Sequence, residues 1–180
     1  MDRARQGIAA IIAACAIWGL APVYYRLVTV PPFEMLAHRT LWTLLFFGVL
    51  LKVQGRFGAV PALIAGPQRV RVWAAAAIVS VNWGLFIWAV KNGYAIEASL
   101  GYYIFPLVAV VLGVIVLGER LSIGQGLAVA LAAAAVGVLT IGLGVAPWMA
   151  LALAVTFAPY MLLKKRLDAA AVVSVTTEVT

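Results

Sequence analysis

A short polar run, EMLAHRTLW at residues 34–42, interrupts an apolar sequence and holds the groups best suited to chemistry. Glu34 and His38 are four residues apart, so a helix places them on one face, and Arg39 follows directly. His38 can titrate near neutral pH, and charged groups within a membrane usually face a cavity or a partner. The run predicts a proton- or substrate-sensing cluster, or alternatively an interfacial anchor in which Arg39 reaches outward and Glu34 caps the helix.

Five further positions could line a polar route or shape it. The amide of Asn82 lies within VNWGLFIWAV, where it must either form an interhelical hydrogen bond or line a pathway. Pro22 and Pro106 sit inside apolar runs and predict helix bends. Trp18 and Tyr102 each precede one of these prolines by four residues and are candidate substrate contacts.

Enzymatic constellations are poorly represented in this sequence. It contains one histidine and one cysteine, too few for a Cys/His metal site, and it lacks a phosphate-binding glycine loop. Ser99 and His38 could both lie toward the outer face, but no residue orients the imidazole as a general base. We therefore predict a protein that is not an enzyme and that uses neither a metal nor another cofactor.

The elements that must position these residues follow from composition. Of the 180 residues, 66% are hydrophobic and 11% are charged, which is too little charge for the exterior of a soluble domain. Uncharged runs of about 20 residues recur, each long enough to cross a bilayer as a helix, and none alternates as a barrel strand would. The sequence predicts an all-α membrane protein with six transmembrane helices, at about 7–29, 34–52, 71–91, 97–118, 121–143 and 147–164.

The net charge of +7 is distributed unevenly along the predicted helices. Ten basic residues fall at one set of helix ends and only three, Arg26, Arg39 and Lys91, at the other. This asymmetry is typical of the positive-inside rule. It predicts a cytoplasmic N-terminus and insertion in the cytoplasmic (inner) membrane, where the partner of the helices is the lipid bilayer. It also predicts that the basic residues do not bind nucleic acid. The Gly/Pro-punctuated segment 53–69 is expected to be a cytoplasmic loop, with the option of lying on the membrane surface.

Two stretches of the sequence are similar to each other. AIWGLAPVYYRL (16–27) and LAVTFAPYMLLK (153–164) both lead through Ala-Pro to a basic region. Because the second stretch comes five helices after the first, an odd number, the two cross in opposite directions, as in the inverted repeats of transporters. The sequence thus predicts one five-helix repeat at 1–146 and, at 147–180, the first helix and start of a second repeat that ends early.

Several motifs together resemble the RarD branch of the EamA-type permeases, in the drug/metabolite transporter superfamily. They are WGLAPVYYRL, EMLAHRTLW, NWGLFIWAVKNGYAIEASLGYYIFPLV and LGERLS. The resemblance implies about ten helices in two inverted repeats and a cytoplasmic-membrane permease often labelled by chloramphenicol sensitivity. Two departures are Phe105 and Ala109, which stand where the family pattern carries asparagines.

These observations predict a secondary transporter of a small organic solute or drug-like molecule, working by alternating access. Glu34, His38, Asn82 and Tyr102 are the expected polar contacts and Trp18 an aromatic wall, with Glu34 or His38 carrying protons if protons drive transport. The alternative is a non-transporting, truncated membrane remnant, or a subunit that needs self-association or a partner chain to replace the missing repeat.

Overall fold

The computed structural model describes residues 3–144, 148–167 and 169–179, and all of the regular secondary structure in these ranges is helical. The helices are α1 (Arg3–Leu27), α2 (Pro32–Val53), α3 (Ala59–Ala65), α4 (Arg69–Lys91), α5 (Ala95–Leu117), α6 (Ile123–Leu143), α7 (Trp148–Lys165) and α8 (Ala171–Glu178). The all-α prediction is confirmed.

Five of these helices, α1, α2, α4, α5 and α6, are long and apolar enough to cross a membrane. Each of the five spans is at least 20 residues long, and a helix of that length crosses the hydrocarbon core of a bilayer. The sixth predicted span corresponds to α7, which has 18 residues and ends in Lys164 and Lys165. It is shorter than the other five and is not among the five helices that meet those criteria.

Two short helices lie where the sequence predicted none. The loop assigned to 53–69 contains the seven-residue α3, and the segment after Asp168 contains the eight-residue α8. Helices this short are not stable alone, so their stability comes from packing rather than from a local pattern. The predicted start of the last long helix at Pro147 lies outside the described residues, and α7 is described from Trp148.

The centre of the bundle is formed by α4, α5 and α7. Helix α7 packs against both α4 and α5, and it buries Met149, Ala150, Leu153 and Ala154. Gly101 of α5 permits the close approach, since a Cβ at that position would lie 3.2 Å from the carbonyl oxygen of Ala150. Small residues are common at such helix contacts in membranes, where backbones approach closely.

The helices alternate in direction through the bundle. One buried cluster joins the ends of α1 and α4 to the beginnings of α2, α5 and α7, through Tyr25, Val90, Met35, Ala98 and Met149. The Lys91 ammonium donates hydrogen bonds to the carbonyl oxygens of Val28, at 2.5 Å, and Tyr25, at 3.4 Å. A cation at the C-terminal end of α1 also complements the helix dipole there.

The other end of the bundle is closed by the two short helices. Helix α8 contacts α2, α3 and α4, and a second buried cluster combines Leu51, Val60 and Val173. The tail of the chain is therefore folded against the body rather than extended from it.

Helices α1 and α6 lie at the outside of the bundle, and their apolar windows are unburied. Helix α6 packs on α5. Its stripe of small residues, Gly124, Ala128 and Ala132, is exposed, so no helix packs on this stripe within the described residues. Such apolar exposure suits a helix surrounded by lipid.

Candidate functional site

A central cavity of about 530 Å3 lies among the helices. Side chains from α1, α2, α4, α5, α7 and α8 line it, among them Trp18, Arg39, Trp83, Tyr102, Phe105, Phe157, Tyr160 and Glu178. The volume is within the range of sites that hold small molecules. The lining is largely apolar and aromatic, with a few polar groups that could orient a ligand.

Arg39 projects from the second turn of α2 into this cavity and is half-buried. Its guanidinium carbon lies 3.7 Å from the centre of the Trp83 ring, a cation–π contact. Within the described residues, its side chain forms no ion pair with a carboxylate and donates no hydrogen bond. Arg39 thus lines the central cavity, whereas the sequence left open whether this side chain joins a sensing cluster or reaches outward as an anchor.

The aromatic side chains around Arg39 form a continuous series of edge contacts. Trp18 meets Trp83 at 6.1 Å between ring centres, Trp83 meets Phe86 at 5.7 Å, and Phe86 meets Tyr102 at 5.9 Å. All three pairs are close to perpendicular, the geometry that the ring quadrupoles favour. Helices α1, α4 and α5 are therefore held around the cavity by aromatic contacts, and Trp18 and Tyr102 line it. Their role as substrate contacts stays a prediction.

A polar cluster that was not predicted closes the cavity beside α8. The Lys164 ammonium lies 2.6 Å from Glu178 Oε1 and 2.6 Å from the Ser174 hydroxyl. Tyr160 donates a hydrogen bond of 2.9 Å to Glu178 Oε2. The Glu178 side chain is 5% exposed, so this is a buried ion pair with additional hydrogen bonds. The one available signal was a glutamate in an otherwise uncharged tail.

Asn82 connects α4 to α7 and is buried. Its Nδ2 group donates to the carbonyl oxygen of Leu153, at 2.9 Å, and to the hydroxyl of Thr156, at 2.7 Å. Of the two roles that the sequence left open for this amide, the structure provides the interhelical hydrogen bond. Asn82 does not line the central cavity but a very small pocket beside it.

His38 and Glu34 do not join the other predicted site residues. His38 is exposed and lines a separate groove of about 780 Å3 between α1 and α2, which we call the α1–α2 groove. Arg39 lines both the groove and the central cavity. Glu34 is exposed in the first turn of α2 and forms no side-chain cap there, so the predicted capping role is wrong.

The two predicted helix bends fall inside α1 and α5, which continue through Pro22 and Pro106. Pro22 lines a smaller cavity of about 250 Å3 together with Trp18, Trp83 and Tyr102, whereas Pro106 is exposed. Ser99, also in that smaller cavity, donates its hydroxyl to the Ala95 carbonyl oxygen at 2.8 Å. The bends themselves stay a prediction.

Apolar helices of spanning length that surround an aromatic cavity are typical of a multi-pass membrane protein with an internal cavity. Residues 5–141 match the EamA-like transporter family. The chain belongs to this family, as the resemblance of its motifs predicted.

Three relatives of this chain carry the name RarD. It is 44% identical over 176 residues to Protein RarD of Streptomyces exfoliatus, covering 97% of this chain and 56% of that protein. It is 45% identical over 165 residues to Protein RarD of Escherichia coli (strain K12), covering 91% and 56%. It is 31% identical over 168 residues to Chloramphenicol-sensitive protein RarD of Pseudomonas aeruginosa, covering 90% and 56%. No solved structure matches the chain.

The chain is therefore a RarD-type member of the EamA family. It spans 56% of the length of each of these three relatives. The comparisons give no preference to the alternative of a non-transporting remnant.

Proposed function

We propose that this chain belongs to a permease that moves a small organic solute or drug-like molecule across the cytoplasmic membrane by alternating access. The solute passes through the central cavity without any bond being made or broken in it. The observation that carries the proposal is that Trp18, Arg39 and Tyr102, from three different apolar helices, line one cavity of about 530 Å3.

The proposed architecture has six spans, with α7 as the sixth, and a cytoplasmic N-terminus. The alternating helix directions support it, since α1 and α7 run in opposite senses, as inverted repeats require. Residues 1–146 would form the first five-helix repeat, and 147–180 the beginning of the second. Further helices, from the same polypeptide or from another copy, would complete the wall of the transport site.

Reporter fusions test this topology. Tags fused to the N-terminus and placed after Lys165 should both report a cytoplasmic location, because an even number of spans separates them. Tags that report opposite sides would overturn the six-span arrangement.

We propose protons as the coupling ion, with His38 as the carrier. This side chain is exposed in the α1–α2 groove, and imidazole groups serve as proton shuttles in proteins. Glu34 lies one helical turn earlier and is the second candidate carrier. In His38→Ala, uptake should persist but lose its dependence on an imposed pH gradient.

Flux into proteoliposomes tests transport itself. The purified chain is reconstituted, and uptake of radiolabelled solutes is followed against protein-free liposomes, with chloramphenicol included because the name of one relative mentions it. Trp18→Ala should reduce uptake by about tenfold, the loss expected for ~1.4 kcal/mol of aromatic contact. Trp73→Ala is the matched control, because Trp73 is 57% exposed on α4 and does not line the central cavity.

Uptake equal to that of protein-free liposomes for every solute would contradict the proposal. Equal losses in Trp18→Ala and Trp73→Ala would place the transport route outside the central cavity.

A further inference from the structure

We propose that the central cavity binds a small organic anion, with the Arg39 guanidinium as the contact for its carboxylate group. The inference rests on the proposed function in one respect: it names the charge of the solute that the cavity serves.

The Arg39 guanidinium has hydrogen-bond donors that the described part of the protein does not use. A guanidinium carries five N–H donors in a fork that matches the two oxygens of a carboxylate. Within the part of the chain that the structure describes, the side chain of Arg39 reaches neither a carboxylate nor a hydrogen-bond acceptor, and it contacts the face of Trp83 at 3.7 Å. Contact with a ring face leaves the N–H edges directed elsewhere. Within an apolar span, a guanidinium without a counter-ion or a hydrogen-bond acceptor is energetically costly, and a bound anion would lower that cost.

The charged side chains in and beside the cavity leave it with a net positive charge. Glu178 also lines it, but this carboxylate is held by Lys164 at 2.6 Å, Tyr160 at 2.9 Å and Ser174 at 3.1 Å. The negative charge of Glu178 is thereby balanced by Lys164. Arg39 remains as the positive charge without a counter-charge, so a bound anion completes the neutralisation and a bound cation is repelled.

The remaining wall of the cavity is aromatic. Trp18, Phe105 and Phe157 present aromatic surface, and Phe105 packs on Phe157 with 5.0 Å between ring centres. Such a wall favours a ligand whose body is apolar or aromatic. A carboxylate on an aromatic or aliphatic body of modest size fits both parts of the cavity.

Binding of three matched probes tests the inference. 3-Phenylpropionate, 3-phenylpropionamide and 3-phenylpropylammonium have nearly the same body and differ in charge. Isothermal titration of the detergent-solubilised chain, corrected with protein-free micelles, should give at least about tenfold tighter binding for the carboxylate than for the amide, and weakest binding for the ammonium.

Variants assign that preference to a residue. Arg39→Gln should abolish the difference between carboxylate and amide while leaving amide affinity unchanged, and Arg39→Lys should retain part of it, because lysine keeps the charge and loses the fork. Arg120→Gln is the matched control, since it removes the same charge from an exposed loop position and should change nothing. Monodisperse elution of each variant on size exclusion verifies that it is folded.

Each other outcome overturns the inference. These are equal binding of carboxylate and amide, tightest binding of the ammonium, a preference that survives Arg39→Gln, or no binding of the carboxylate up to about 10 mM. The flux experiment separates this from the proposed function. Carboxylate binding without any uptake would refute transport and keep the anion site, whereas uptake of solutes regardless of charge would refute the anion site and keep transport.

Discussion

Replacing Asn82 by alanine removes a polar connection between the two central helices. The Asn82 amide donates two hydrogen bonds to α7, to the Leu153 carbonyl oxygen at 2.9 Å and to the Thr156 hydroxyl at 2.7 Å. Interhelical hydrogen bonds in membrane proteins average about 0.6 kcal/mol each. Two of them give an expected loss of about 1.2 kcal/mol in the free energy of unfolding, without a charge being exposed or a large cavity being created.

Reversible unfolding by sodium dodecyl sulfate in mixed micelles, followed by circular dichroism, measures this loss. A double-mutant cycle with Thr156→Val isolates one of the two bonds, and its coupling energy should be about 0.6 kcal/mol. Thr156 also donates to the Ala152 carbonyl oxygen at 2.8 Å, so its single-variant effect includes that bond and the cycle removes it.

The matched control is Asn92→Ala. Asn92 is exposed and donates its side-chain amide to Trp88 of the same helix at 2.8 Å, so its loss should cost no more than about 0.5 kcal/mol. If Asn82→Ala were no more destabilising than Asn92→Ala, and the coupling to Thr156 were zero, the reasoning that assigns Asn82 a structural role would be refuted.

Two further substitutions test other contacts by the same unfolding measurement. Glu178→Gln leaves the partly buried Lys164 without a counter-charge and should lower the free energy of unfolding by about 2–3 kcal/mol. Glu119→Gln removes a weak, exposed ion pair and should lower it by less than about 0.5 kcal/mol. Similar values for the two variants would contradict the buried-pair argument. Gly101→Val forces α5 away from α7 and should lower the free energy of unfolding by about 1–3 kcal/mol. Gly124→Val, with open space around it on α6, should lower it by less than about 1 kcal/mol. Equal losses of stability would show that α5 and α7 tolerate separation.

The long helices were predictable because one physical rule governs them. In hydrocarbon, a chain must satisfy its backbone groups within each segment, so uncharged runs of sufficient length become helices. The same rule indicated that Arg39 needs a polar surrounding or a partner, but it left open whether the side chain reaches inward or outward. Composition and charge position therefore decide these features without knowledge of how the helices pack.

The pairing of side chains could not be predicted in the same way. His38 and Arg39 are adjacent and both line the α1–α2 groove, but only Arg39 also reaches the central cavity. About 100° of rotation per residue separates the two side chains, and the sequence does not determine how α2 is rotated. Asn82 finds its partners more than 70 residues away on α7. Glu178 lies on a helix of eight residues that depends on Lys164 for its anchorage, so no local periodicity marked it.

The central position of α7 has a consequence for how the protein is made. Helices leave the ribosome in chain order, and α7 follows α4 and α5, the two helices on which it packs. Until residues 148–165 are synthesised, the faces of α4 and α5 that later enclose α7 meet lipid or the insertion machinery. The packing of α4 and α5 against α7 is therefore completed only after α7 has been synthesised.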